Sequence, residues 1–214
     1  MSHTARLVQL LGAFRRERNG LAADTMHYDG ARYGLNYGVS LPTIRRIARS
    51  ETPDHDFARY LYQQDVRCLQ LTALHLADPA RLTDPAEADF WLSGLRNSEM
   101  AEEAAFALLA RCEGLERLTI ESPLAHYARL MALARQPQPA IGWVERSLAL
   151  LQTQPDLPDP SDYLPRLLLH ATICLWAHIA EESEAGHQKV TETLSDLGHT
   201  AWEEQLREEL AWRL

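Results

Sequence analysis

The sequence predicts an all-α chain built as a HEAT- or armadillo-like α–α superhelix, a solenoid of antiparallel helix pairs spanning residues 1–214 as one domain. Three observations lead there. Apolar residues recur at three- and four-residue spacing along nearly the whole chain, and strand-like alternation is scarce. Asp-Pro and other Pro-bearing breaks divide that pattern into about ten or more short helices. Paired helices at intervals of roughly 40 residues suit a repeat array better than a four-helix bundle.

Leu7, Leu10, Leu11 and Phe14 form the apolar face of a first helix, which stops near Asn19-Gly20. Residues 20–40 are the least regular stretch. There Gly30, Gly34 and Gly38 alternate with Tyr28, Tyr33 and Tyr37, a tyrosine-bearing loop that matches no nucleotide motif. Ser40 reads as an N-cap and Pro42 as a first-turn proline, opening a short helix over 43–50 that carries Arg45, Arg46 and Arg49. Asp54 caps a helix through Tyr62. The next covers 65–77, with Val66, Leu69, Ala73 and Leu76 on one stripe. Asp84-Pro85 opens a helix through Leu95, and Asn97 or Ser98 starts another with Ala101, Ala105, Leu108 and Leu109 apolar. Two more follow over 122–135 and 139–152. Pro155, Pro158 and Pro160 make a stiff connector, Asp162 and Pro165 open a long buried helix to Ile179, and acidic amphipathic helices over 184–197 and 199–213 finish the chain.

Composition removes several function classes. At 46% hydrophobic the chain can bury a core, yet no apolar run reaches the about 20 residues a bilayer span needs. Arg6, Arg15, Arg16 and Arg18 interrupt the first residues, which lack a signal peptide's apolar centre, so a soluble, cytoplasmic protein is expected. Cys68, Cys112 and Cys174 are odd in number and widely spaced, which fits buried hydrophobes and neither a disulfide framework nor zinc. His170 and His178 lie two turns apart on one helix, too far for one ion, so no metal is expected. The net charge of −9 argues against a general nucleic-acid binder but hides an asymmetry: residues 1–50 carry +5 and residues 51–214 carry −14. Because phosphate attraction acts within a Debye length of about 8–10 Å, a basic N-terminal face can bind an anion while the rest repels it.

Two stretches carry a resemblance. The run from Asn36 to Ala48, with Gly38-Val39-Ser40-Leu41-Pro42 followed by Arg45, resembles the G-V-x-x-P-x-x-R segment of the HEAT-like-repeat DNA alkylation repair proteins. Leu61-Tyr62-Gln63-Gln64 with Arg67, Gln70 and Ala73 is similar to that family's W-Q-Q-x-x-R-E-x-Q-x-x-A pattern. The resemblance implies a concave cationic groove for duplex DNA and cofactor-free, metal-free excision of alkylated purines by cleavage of the N-glycosidic bond. Losing a cationic base leaves an oxocarbenium-like sugar, which a carboxylate stabilises, while aromatic faces hold the cation and arginine fixes phosphate.

Carried over by residue, the family's Trp-x-x-Arg is matched by Trp143 and Arg146, making Arg146 the phosphate anchor. Its later aromatic is matched by Trp176, and its Trp-Asp-x-Val-Asp stretch falls on residues 98–106, which hold no Trp and offer Glu103 or Glu102 in place of the Asp. The resemblance thus implies Glu103 and Trp176 as catalytic, with Arg45, Arg46, Arg67, Trp143 and Arg146 on DNA. Each residue also has a plainer reading. Glu99, Glu102 and Glu103 complement a helix dipole, arginines on helix faces are solvated, and tryptophans at helical spacing fill cores. A non-catalytic HEAT-repeat scaffold that binds protein or DNA therefore stands as the second reading, favoured by the absent Trp-Asp motif and the acidity of residues 51–214.

Overall fold

The computed structural model describes residues 2–28, 33–154 and 163–214. The proline connector of Pro155, Pro158 and Pro160, the Asp162 cap and Gly30 of the tyrosine loop lie outside the described residues. Among those described, the chain is all-helical, with one isolated parallel bridge between Leu35 and Val66. It packs as two compact units, Met1–Gly114 and Leu115–Leu214. No helix among the described residues is long and apolar enough to cross a membrane.

The first unit holds α1 (His3–Arg16), α2 (Gly20–Tyr28), α3 (Leu41–Ser50), α4 (His55–Tyr62), α5 (Arg67–Leu76), α6 (Pro85–Ser93) and α7 (Ser98–Ala107). Caps set these boundaries as the sequence predicts. Ser40 accepts from the Thr43 N–H, Asp54 from Phe57 and Asn97 from Met100, each satisfying an amide that the helix start leaves without an internal partner. Helix α5 lies at the centre, packed against α3, α4 and α7, and every one of its residues except His75 is buried. Three of those residues, Arg67, Gln70 and Thr72, are polar.

Among the boundaries that differ from the sequence reading, two have a clear physical cause. A helix, α2, occupies the start of the stretch expected to be irregular. Helix α1 ends at Arg16, and Asn19-Gly20 begins α2, because the Asn19 Oδ1 accepts the Ala22 N–H at 3.2 Å. Helix α5 starts at Arg67 rather than residue 65, because Asp65 sits in a bend and Val66 stays extended to pair with Leu35. The Leu35 N–H donates to the Asp65 carbonyl and the Arg67 N–H to the Leu35 carbonyl, both at 2.9 Å. The same segment is pinned from its other end at Gly38, whose φ is +67°. A Cβ there would stand 1.8 Å from the Asn19 carbonyl oxygen, so only glycine lets the chain pass the α1–α2 corner.

The second unit holds α8 (Pro123–Leu133), α9 (Trp143–Gln152), α10 (Tyr163–Glu182), α11 (Glu184–Asp196) and α12 (Ala201–Ala211). Its 20-residue α10 packs against the other four, burying Leu168, Leu169, Ile173, Leu175, Trp176 and Ile179. At the acidic end Glu203 closes a capping box, accepting from the Thr200 N–H at 2.9 Å and hydroxyl at 2.6 Å. His178, set aside as a ligand on spacing grounds, bonds the Gln136 carbonyl at 2.8 Å.

Candidate nucleic-acid interface

Helix α3 owes its polarity to its sequence. Ile44, Ile47 and Ala48 turn inward, which leaves Arg46 and Arg49 exposed and Arg45 half-buried at the margin. Helix α1 ends in Arg15 and Arg16, cations that its C-terminal dipole favours, and Arg18 follows. The two helices meet where the Arg46 Nη2 reaches the Glu17 Oε1 at 3.1 Å, an exposed ion pair worth little by itself. Its use is positional, since it brings the end of α1 beside α3. Arg15, Arg16, Arg18, Arg46 and Arg49 are all solvent-exposed, and Glu17 pairs with Arg46.

Glu103 lies directly behind that edge, fully buried on α7. Arg45 donates to it through Nε to Oε1 at 3.0 Å and through Nη2 to Oε2 at 2.7 Å, and the His75 Nε2 bonds the same Oε1. Burial alone would push this carboxyl up. Hydrogen bonds from His75 and Arg45 outweigh the burial and hold it below the ordinary carboxylate range. The Arg45 guanidinium also lies 4.5 Å from the centroid of the Phe106 ring, and Phe106 is 47% exposed.

One turn earlier on α7, Glu99 receives the other family-matched arginine. Arg67 is 1% exposed and donates through Nε to Glu99 at 2.7 Å, through Nη2 to the same carboxylate, and through Nη1 to the Val39 carbonyl at 2.6 Å. The Tyr33 hydroxyl joins Glu99 at 2.7 Å and Asn97 at 3.2 Å. Burial, reinforced by the Glu99 charge, drives the Tyr33 phenol far above its usual range, so it stays protonated and donates. Arg67, matched by sequence to a DNA contact, is thus placed inside the unit, with its donors on internal acceptors.

In the second unit Trp143 is buried at the start of α9, with two arginines over its ring: Arg129 at 4.8 Å and Arg146 at 5.1 Å from the centroid. Arg146 is exposed. Arg129 is 9% exposed, donates to the Leu118 carbonyl at 3.1 Å and to the His126 Nδ1 at 3.3 Å, and its Nε has no partner. Among the described residues no carboxylate pairs with it. Burial, and then the Arg146 charge, lowers its affinity for its proton. Trp176 is fully buried and donates its indole N–H to the Ser147 hydroxyl at 2.8 Å, so neither ring face reaches solvent.

The structure therefore brings Arg45 to Glu103 and Arg146 to Trp143, and leaves Arg46 exposed, paired with Glu17 at the end of α1. Three participants escaped the sequence reading. His75 and Phe106 carry no motif, while Arg129 is a charged residue amid the apolar pattern of Ala125, Ala128 and Leu130, a signal that could have been read. No group of three or more His, Cys, Asp or Glu side chains suited to a metal ion occurs among the described residues.

No family model and no curated protein matches the sequence. Among solved structures, one described as "a new family of proteins related to the HEAT-like repeat DNA glycosylases with affinity for branched DNA structures" superposes with a TM-score of 0.69 at 14% identity. The match covers 100% of this chain and 96% of the other. The chain thus has a HEAT-like-repeat fold of the kind found in that structure.

Proposed function

We propose that this protein binds DNA through the arginine edge of α1 and α3, with Arg146 as a second phosphate contact, and that it does so without excising a base. The observation that carries this reading is the edge itself: five exposed arginines on or just after the neighbouring helices α1 and α3, on a chain of net charge −9. Nothing in folding alone requires such segregation, because like charges at close range repel. The matched structure's affinity for branched DNA makes a DNA junction the first ligand to try.

Excision is disfavoured by the state of Glu103. Stabilising an oxocarbenium-like sugar requires a carboxylate directed at the reacting carbon in a site the substrate can enter. Glu103 is buried, and its oxygens are held by Arg45 and His75. Trp176 presents no ring face to a base. Incubation with alkylated duplex DNA is expected to release no modified purine, and release that disappears in Glu103→Gln would overturn this part of the reading.

Binding is tested by fluorescence anisotropy on a four-way junction and on a duplex at several salt concentrations. Each phosphate contact contributes about 0.9 to the slope of log affinity against log salt on duplex DNA. The double variant Arg46→Ala/Arg49→Ala should weaken binding to every sequence and make the slope shallower by up to about 1.8. Salt-independent binding would rule out a phosphate-driven interaction. No binding at all would leave the fold as a scaffold for protein partners.

A further inference from the structure

We infer that Phe106, held between Arg45 and His75, is a stacking platform for an unpaired DNA base. The inference rests on the DNA-binding reading and adds to it the feature of the ligand that the surface recognises. Phe106 stands on α7 with 47% of its surface in solvent, the largest exposure of any phenylalanine or tyrosine among the described residues. Ordinary packing would bury such a ring. Here one face is covered by the Arg45 guanidinium at 4.5 Å, and the His75 ring meets it edge-on at a centroid distance of 6.4 Å.

Both neighbours are themselves fixed. The Arg45 fork is clamped by two donor nitrogens on the buried Glu103 carboxylate, and His75 bonds the same carboxylate. The ring is therefore backed by a rigid cationic support, so little side-chain freedom is lost when a second flat group lands on its open surface. Glu103 has a different use here from the one the family pattern implies: it orients the platform.

The occupant follows from charge and shape. Arg45 and Arg49 lie one turn apart on α3, joined where the Arg49 Nε donates to the Arg45 carbonyl at 3.2 Å, and Arg49 is exposed. A flat π-system attached to a phosphate chain satisfies the ring and the arginines together. A base inside a continuous duplex keeps both faces stacked, so it cannot use the platform. A base at a bulge, gap or branch point has a free face.

The test uses the full chain with Phe106→Ala and Phe106→Trp. Binding is measured to a perfect duplex and to the same duplex carrying a three-nucleotide bulge with 2-aminopurine at its centre. Phe106→Ala should weaken binding to the bulged DNA by about tenfold, within the range base–aromatic stacking supplies, and leave the perfect duplex within about twofold. Wild type should quench the 2-aminopurine, Phe106→Ala should lose the quenching and Phe106→Trp should restore it. Because the ring is exposed, its removal leaves no core cavity, and thermal melting of the variants checks that they fold. Equal effects on the two DNAs, or unchanged quenching, would overturn the platform while leaving DNA binding intact. A wild type that binds neither DNA would overturn both.

Discussion

Replacing Arg67 with alanine should destabilise the protein by about 4 kcal/mol, the largest effect expected of any single change considered. The side chain is 1% exposed and its donors serve the Glu99 carboxylate and the Val39 carbonyl. Alanine removes those donors together and leaves a cavity where a long side chain was packed. Glu99 is then an anion without its counter-charge, with the Tyr33 hydroxyl as its remaining partner at 2.7 Å. Its side chain is one-quarter exposed, so water recovers part of the loss, which keeps the figure near the middle of the range for broken buried pairs. Arg67→Met restores most of the packing without the charge and should regain about a third of the stability. Urea denaturation followed by far-ultraviolet circular dichroism measures both. A variant Arg67→Ala within about 0.5 kcal/mol of wild type would mean that the network contributes little net stability.

Glu103→Gln should cost about 2–3 kcal/mol at neutral pH, less than Arg67→Ala because the stranded Arg45 side chain is 31% exposed and can turn to solvent. The pH dependence carries a definite sign. The Glu103 carboxyl is held below its unfolded value of about 4.3, so its contribution is fully present above that pH and fades as pH falls through the folded value. Wild type should therefore lose part of its advantage over Glu103→Gln between about pH 5 and pH 3. Denaturation midpoints for both proteins across that window test it. A stability gap that holds constant on acidification would mean that the pair does not titrate with the fold.

Much of the architecture was legible because helices announce themselves locally. Ser40, Asp54 and Asn97 cap the helices they were expected to cap, and the Pro42 turn lies where its fixed φ suits a first turn. Helix α2 was not legible, because Asn19-Gly20 carries a stop signal and the same asparagine supplies the next start through its side chain. The extended start of α5 was hidden for a different reason: Asp65 and Val66 answer to Leu35, about 30 residues away, and no window along the chain contains both. The candidate site shows the same division. Spacing placed Glu99 and Glu103 one turn apart on α7 and the arginines on α3. Which arginine meets which carboxylate depends on how α5 packs against α3 and α7, and that is decided by tertiary burial.

Arg67 also changes how the first unit comes apart. A stack of repeats held only by nearest neighbours frays from either end, each layer opening without much regard to the rest. Here one guanidinium ties the residue 39 carbonyl, ahead of α3, to the first turn of α7, across the helices between. The early and late layers cannot separate independently while that tie holds. Amide exchange in α3, α5 and α7 should accordingly share one opening free energy, so this part of a repeat fold behaves as a single cooperative block.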